Sequence, residues 1–140
     1  MAFARFLKSS NCKILKINRQ GFLTLRDKKQ LMYIYNVTIN IDEAVHKEWL
    51  TWMETHIIDV LNTGKFTTAK LTEVLVDEEM GGKTYSIQYS ANTKKDLAAY
   101  YKEDADRLQM ESLKKFGDKM LAFRTELKLI KEFYPTNMSN

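Results

Sequence analysis

The chain has 140 residues, 44% of them hydrophobic and 29% charged, with a formal net charge of +4. This is the balance of an ordinary one-domain globular protein, and no apolar run approaches the roughly 20 residues that a bilayer-crossing helix needs. The single cysteine, Cys12, excludes an internal disulfide framework, and a reducing, cytoplasmic setting is expected.

The charge is unevenly spread. Residues 1–31 hold eight Lys or Arg and one acid, Asp27, for a net +7. The remainder holds fourteen basic and seventeen acidic residues, for a net −3. Electrostatic attraction for nucleic acid therefore belongs to the arm and not to residues 32–140. Three readings of this arm stand side by side. One is a start assigned too early, with Met32 the initiator. Another is an Arg/Lys-rich targeting segment. The third is an appendage in which residues 12–25 form a hairpin about Asn18-Arg19-Gln20-Gly21.

Residues 32–41, MYIYNVTINI, alternate with period two. Tyr33, Tyr35, Val37, Ile39 and Ile41 form an apolar row, while Asn36, Thr38 and Asn40 point the other way, as in a strand with one buried face. Asp42 then supplies the N-cap of a helix reaching about Asn62, with Gly64 just beyond its end. Val45, Trp49, Trp52, Met53, His56 and Val60 fall on one stripe of that helix. Residues 66–76 read as a second strand and residues 83–91 as a third. Between them lies an acidic connection ending in Gly81-Gly82. Asn92 or Thr93 caps a second helix to about Phe116, with Leu97, Tyr101, Ala105 and Leu108 on its apolar stripe and Gly117 as its stop. Residues 119–130 form a last strand in which Leu121, Phe123, Leu127 and Leu129 share a face, and residues 133–140 are expected to fray.

Two β-α-β units with right-handed crossovers give an α+β, ferredoxin-like βαββαβ domain over residues 32–132. It has a four-stranded antiparallel sheet with both helices on one face. Tyr33, Tyr35, Val37, Tyr85, Ile87, Tyr89, Phe123 and Leu127 are expected beneath the helices. Asn36, Thr38, Ser86, Gln88, Arg124 and Glu126 are expected on the opposite, polar face.

YNVT at residues 35–38, EWLTWMETHIIDVLNTGKF at 48–66, GGKTYSIQY at 81–89 and FRTEL at 123–127 resemble an uncharacterised bacterial domain-of-unknown-function family. The similarity runs from Met32 to about Lys131, which favours the early-start reading of the arm. The family looks like a branch of the dimeric α/β-barrel proteins, in which two ferredoxin-like protomers bring their sheets together. The resemblance implies the fold and a homodimer. It implies no activity, because the wider group includes cofactor-free monooxygenases, haem-degrading enzymes and plain ligand binders. The haem-degrading relatives pair a first-strand asparagine with a histidine on the second helix. Asn36 suits the first place, but this second helix has no histidine, so no cofactor is expected.

His56, a histidine on an apolar stripe, is the candidate catalytic base. Its bland reading is a core histidine with a backbone or tyrosine partner. Trp49, Trp52, Tyr85 and Tyr101 are packing residues or, alternatively, contacts for a planar ligand. Asn36, Thr38, Gln88 and Arg124 would line a polar or anionic ligand site on the open sheet face, or else a solvated surface. No metal site is expected: His46 and His56 lie about 280° apart around their helix, unlike an i, i+4 pair. RNA binding fails for the domain because Thr84 and Ser86 occupy positions where stacking rings are required. No Gly-x-Ser-x-Gly motif or phosphate loop occurs. The expectation is a small homodimeric ligand-binding or interaction module. The alternative is a cofactor-independent enzyme using His56 with Asn36 and a nearby tyrosine.

Overall fold

The computed structural model describes residues 31–79 and 81–136. The basic arm, with Cys12 and its candidate hairpin, and the tail positions 137–140 lie outside these residues.

Strand β1, Tyr33–Ile41, follows its alternation, with Tyr35, Val37, Ile39 and Ile41 buried. Each such side chain removed from water contributes about 1.5–3 kcal/mol. Asp42 is extended and its carboxylate accepts from the Ala44 N–H at 2.7 Å. It caps a 3-10 turn, Glu43–Val45, rather than the α-helix itself. Helix α1, His46–Leu61, then buries Trp49, Met53 and Val60, flanked by the half-buried Trp52 and His56. Strand β2 is shorter than expected, Thr68–Glu73. Phe66 leaves the ladder to join the core, and beyond Glu73 the Val74 N–H makes the last backbone bond to β3 among the described residues, at the Thr84 carbonyl. Gly82 sits at φ +82°, where a Cβ would lie 2.5 Å from the Ile41 carbonyl oxygen. Only glycine lets the connection pass so close to the end of β1. Strand β3, Lys83–Ala91, matches its expected span.

The second helix is two helices. Thr93 caps α2, Lys94–Glu103, by accepting from the Asp96 N–H at 2.9 Å. Asp104, at φ −127°, breaks the helical run, and α3 resumes over Ala105–Phe116. The break is tied down from outside, since Lys65 Nζ lies 2.8 Å from Asp104 Oδ2. It also changes which ring is buried. Tyr100 enters the core and Tyr101 is 37% exposed, so the expected stripe through Tyr101 is corrected to one through Leu97 and Tyr100. Gly117, at φ +51°, ends α3 and opens a 3-10 turn, Gly117–Lys119, that leads into β4, Met120–Lys128.

All pairings are antiparallel, in the order β2-β3-β1-β4, and the sheet stays open. The helix side of β1 and β3 is the expected one: Tyr35, Val37, Tyr85, Ile87 and Tyr89 are all buried there. Strand β4 has the opposite parity. Val37 faces Arg124 and Thr38 faces Phe123 across the ladder, so Arg124 and Glu126 belong to the helix side. Leu121, Phe123 and Leu127 are turned to the open face, where they are 58%, 62% and 44% exposed. The expected placements of Arg124 on the polar face and of Phe123 and Leu127 under the helices are both reversed. The cause is the strand's place at the sheet edge. Met120 and Ala122 fill what the helix layer covers of β4, and the long charged side chains beyond them reach water past that layer. A backbone bond from the Asp42 N–H to the Lys119 carbonyl, 2.9 Å, pins the register where β4 begins.

Candidate functional site

The parity of β4 builds two places where chemistry is available, one on each side of the sheet. On the helix side, a cavity of about 30 Å³ is lined by Tyr35, Met53, His56, Gln109, Ser112 and Arg124, among others. That volume holds one or two waters. His56 is held from below by Trp52, ring on ring at 4.4 Å with 18° between planes. Its Nδ1 is buried without a hydrogen-bond partner among the described residues. Glu111 Oε1 stands 4.0 Å away, outside hydrogen-bonding reach. Burial pushes the imidazole below its ordinary pKa, against the pull of Glu111 and Asp59.

Tyr35 accepts from Gln109 Nε2 at 3.3 Å, and burial raises its phenol while Arg124 draws it back down. Tyr101 closes on the Tyr35 ring edge-on, at 5.5 Å and 86°. Burial, then a hydrogen bond to Glu126, keeps the Tyr101 hydroxyl protonated well above its ordinary range. Gln109 is a lining residue that sequence reasoning missed, although a signal for it exists. Placed from Ala105, Leu108, Ser112 and Phe116, it is an uncharged polar residue beside a buried stripe, as His56 is on α1. The stripe through Ala105 and Leu108 carries that phase in the sequence itself.

On the open side, Asn36 is the centre of a polar ladder. Its Oδ1 accepts from Ser86 Oγ at 2.6 Å, and its Nδ2 donates to Thr38 Oγ1 at 3.2 Å and Thr125 Oγ1 at 3.3 Å. Gln88 faces Asn36 across the β1–β3 register. Glu78, from the connection before β3, covers the end of the face by accepting from Thr84 Oγ1 at 2.6 Å. Arg124 is absent from this side, and the cation opposite Gln88 is Lys70, on the rim strand β2. The face also carries a row of exposed apolar side chains along β4, with Ile34 opposite Leu127.

The other candidates divide between packing and structure. Trp49 is fully buried, and its ring lies 5.1 Å from that of Tyr85. Tyr85 is also buried, and its hydroxyl lies 2.6 Å from His46 Nε2. His46 is thus partly buried and hydrogen-bonded, with its ring stacked on Tyr85 at 5.6 Å. His56 and Asn36, paired in the enzyme reading, lie on opposite sides of the sheet.

Four antiparallel strands in this order, covered on one side by the crossover helices, define a ferredoxin-like protein. Within that class the chain belongs to the family described as Domain of unknown function (DUF4286), which matches residues 32–130. Among solved structures it is similar to a dimeric ferredoxin-like protein from an uncultured marine organism. The two share 10% identity over 75% of this chain and 100% of that one, with a TM-score of 0.53, a likeness of fold alone. No curated protein matches. Among the described residues, no helix is long and apolar enough to cross a membrane.

Proposed function

We propose that this domain is a self-associating module whose two copies pair through the open faces of their sheets. The observation that carries this reading is the row Leu121, Phe123 and Leu127, exposed beside Ile34 on a face where Asn36 already bonds to Ser86, Thr38 and Thr125. Exposed apolar side chains grouped on one face in this way mark an interaction site. A twofold contact uses one such patch twice, so a single apolar row on each copy is sufficient. The neighbour of like fold is itself described as dimeric, which supports a second copy as the occupant. The ladder around Asn36 would then form the polar surroundings of the contact, with few donors left unmatched.

Sedimentation of the full chain tests this. The wild type is expected to run as a dimer at about 10 μM, a concentration at which a micromolar-affinity contact is substantially filled. Phe123→Asp is expected to run as a monomer with an unchanged far-UV spectrum, because it sets a carboxylate into each copy's apolar row. A monomeric wild type, or a dimeric F123D protein, would overturn the reading. The rival, a cofactor-independent enzyme joining His56 and Asn36, loses its pair to the sheet between them.

A further inference from the structure

We propose that the helix-side cavity is a binding site for the carboxylate of a small organic acid, with Arg124 as its charge partner and Tyr35 and Gln109 as its hydrogen-bonding partners. The site lies across the sheet from the surface assigned to self-association and does not depend on it.

Three observations point to a ligand, and to this class of ligand. Arg124 is brought to the cavity by the β4 register, and among the described residues no carboxylate lies within ion-pair distance of it. His56 also lines the cavity, and its Nδ1 is buried with no hydrogen-bond partner among the described residues. A buried polar atom without a partner is costly in an empty site and is satisfied by an occupant or the water it carries.

The third observation is the balance of donors and acceptors. Tyr35 Oη accepts from Gln109, so its own proton is free to be donated. The guanidinium offers only donors, and the Gln109 amide has a second N–H. Ser112 is already occupied, donating to the Gln109 carbonyl at 3.2 Å. A wall rich in donors around one cation matches a planar, acceptor-only group, and guanidinium and carboxylate fit each other fork to fork.

Size and charge narrow the class. About 30 Å³ admits a carboxylate and little else, so the body of the acid would lie outside, past the exposed Arg124 side chain. His56, held below its ordinary pKa, supplies no second positive charge. Glu111 near His56 and Glu126 near Tyr101 repel a dianion. A monoanion is therefore preferred over phosphate.

The test is an NMR titration of the isotope-labelled full chain with sodium acetate, with ionic strength held constant by chloride. Inorganic phosphate serves as the control anion. Acetate is expected to shift the Gln109 side-chain amide and the His56 ring saturably, and phosphate at the same concentration is expected to shift neither. Arg124 is exposed on an edge strand, so Arg124→Gln should keep a dispersed native spectrum while weakening acetate binding about tenfold or more. Gln109→Leu keeps the charge and loses one donor, and should weaken binding by a smaller factor. F123D should bind acetate as the wild type does, which separates this site from the pairing surface. Absence of saturable shifts, equal binding of phosphate, or unchanged affinity in R124Q would each overturn the proposal.

Discussion

His56 is the residue whose surroundings say most. A neutral imidazole stacked on Trp52, with one nitrogen buried and unpartnered, accepts a proton less readily than it does in the unfolded chain. Its pKa should therefore titrate below the ordinary 6.5 when followed by ring-proton NMR. That direction fixes the sign of the linkage. Between the folded and unfolded values the unfolded chain binds the extra proton, so the stability tied to a neutral His56 is intact above about pH 6.5 and lost as pH falls through the folded value. Urea midpoints measured from pH 7.5 down to 5 should decline, and His56→Gln should flatten that decline. The two tryptophans separate in the same way. Trp49→Ala should cost about 3–5 kcal/mol in urea unfolding, because the ring is fully buried. Trp52→Ala should cost less, because Trp52 is only half buried. The sequence made His56 conspicuous, since a lone polar side chain on a greasy stripe stands out. It could not show that Nδ1 would lack a partner, which depends on how far Glu111 of another helix reaches.

At the scale of elements, β4 teaches most. Alternation along a strand reveals its period but not which row faces inward. For β1 and β3 the apolar row is the buried one, because the helices lie directly over those strands. At the edge, the layer above runs out, and the rule that greasy residues face the core gives the wrong sign. The difference is measurable. Phe123→Ala would cost about 3–5 kcal/mol if the ring were core. On the exposed face it should cost about 0.5 kcal/mol or less in urea unfolding, with the protein dilute enough to be monomeric. The break at Asp104 was hidden for a related reason. Nothing in the polar run from Lys102 to Arg107 forces a helix to end, and the Lys65 side chain that grips Asp104 comes from after α1, far away in sequence. That missing kink exchanged Tyr100 for Tyr101.

For the whole molecule, strand count, crossovers and the helix-covered side of the central strands were readable, because each rests on local period, caps and glycine turns. The sheet order places β1 and β3 inside and β2 and β4 at the rims. Amide exchange should track that order, slowest in the two inner strands and faster along both rims. Hydrogen–deuterium exchange with mass spectrometry would show the ranking directly. A rim strand protected as strongly as β1 in the monomeric F123D protein would contradict it.

The short turn Gly117–Lys119 acts as a phase setter. Removing one residue from it would advance β4 by half a period, exchanging both of its rows at once. The aliphatic side chains would swing beneath the coils, and the guanidinium would swing out among the amides and hydroxyls of the far side. A single-codon deletion there should thus abolish both pairing and acid binding together, although every side chain those two activities use would still be present in the chain.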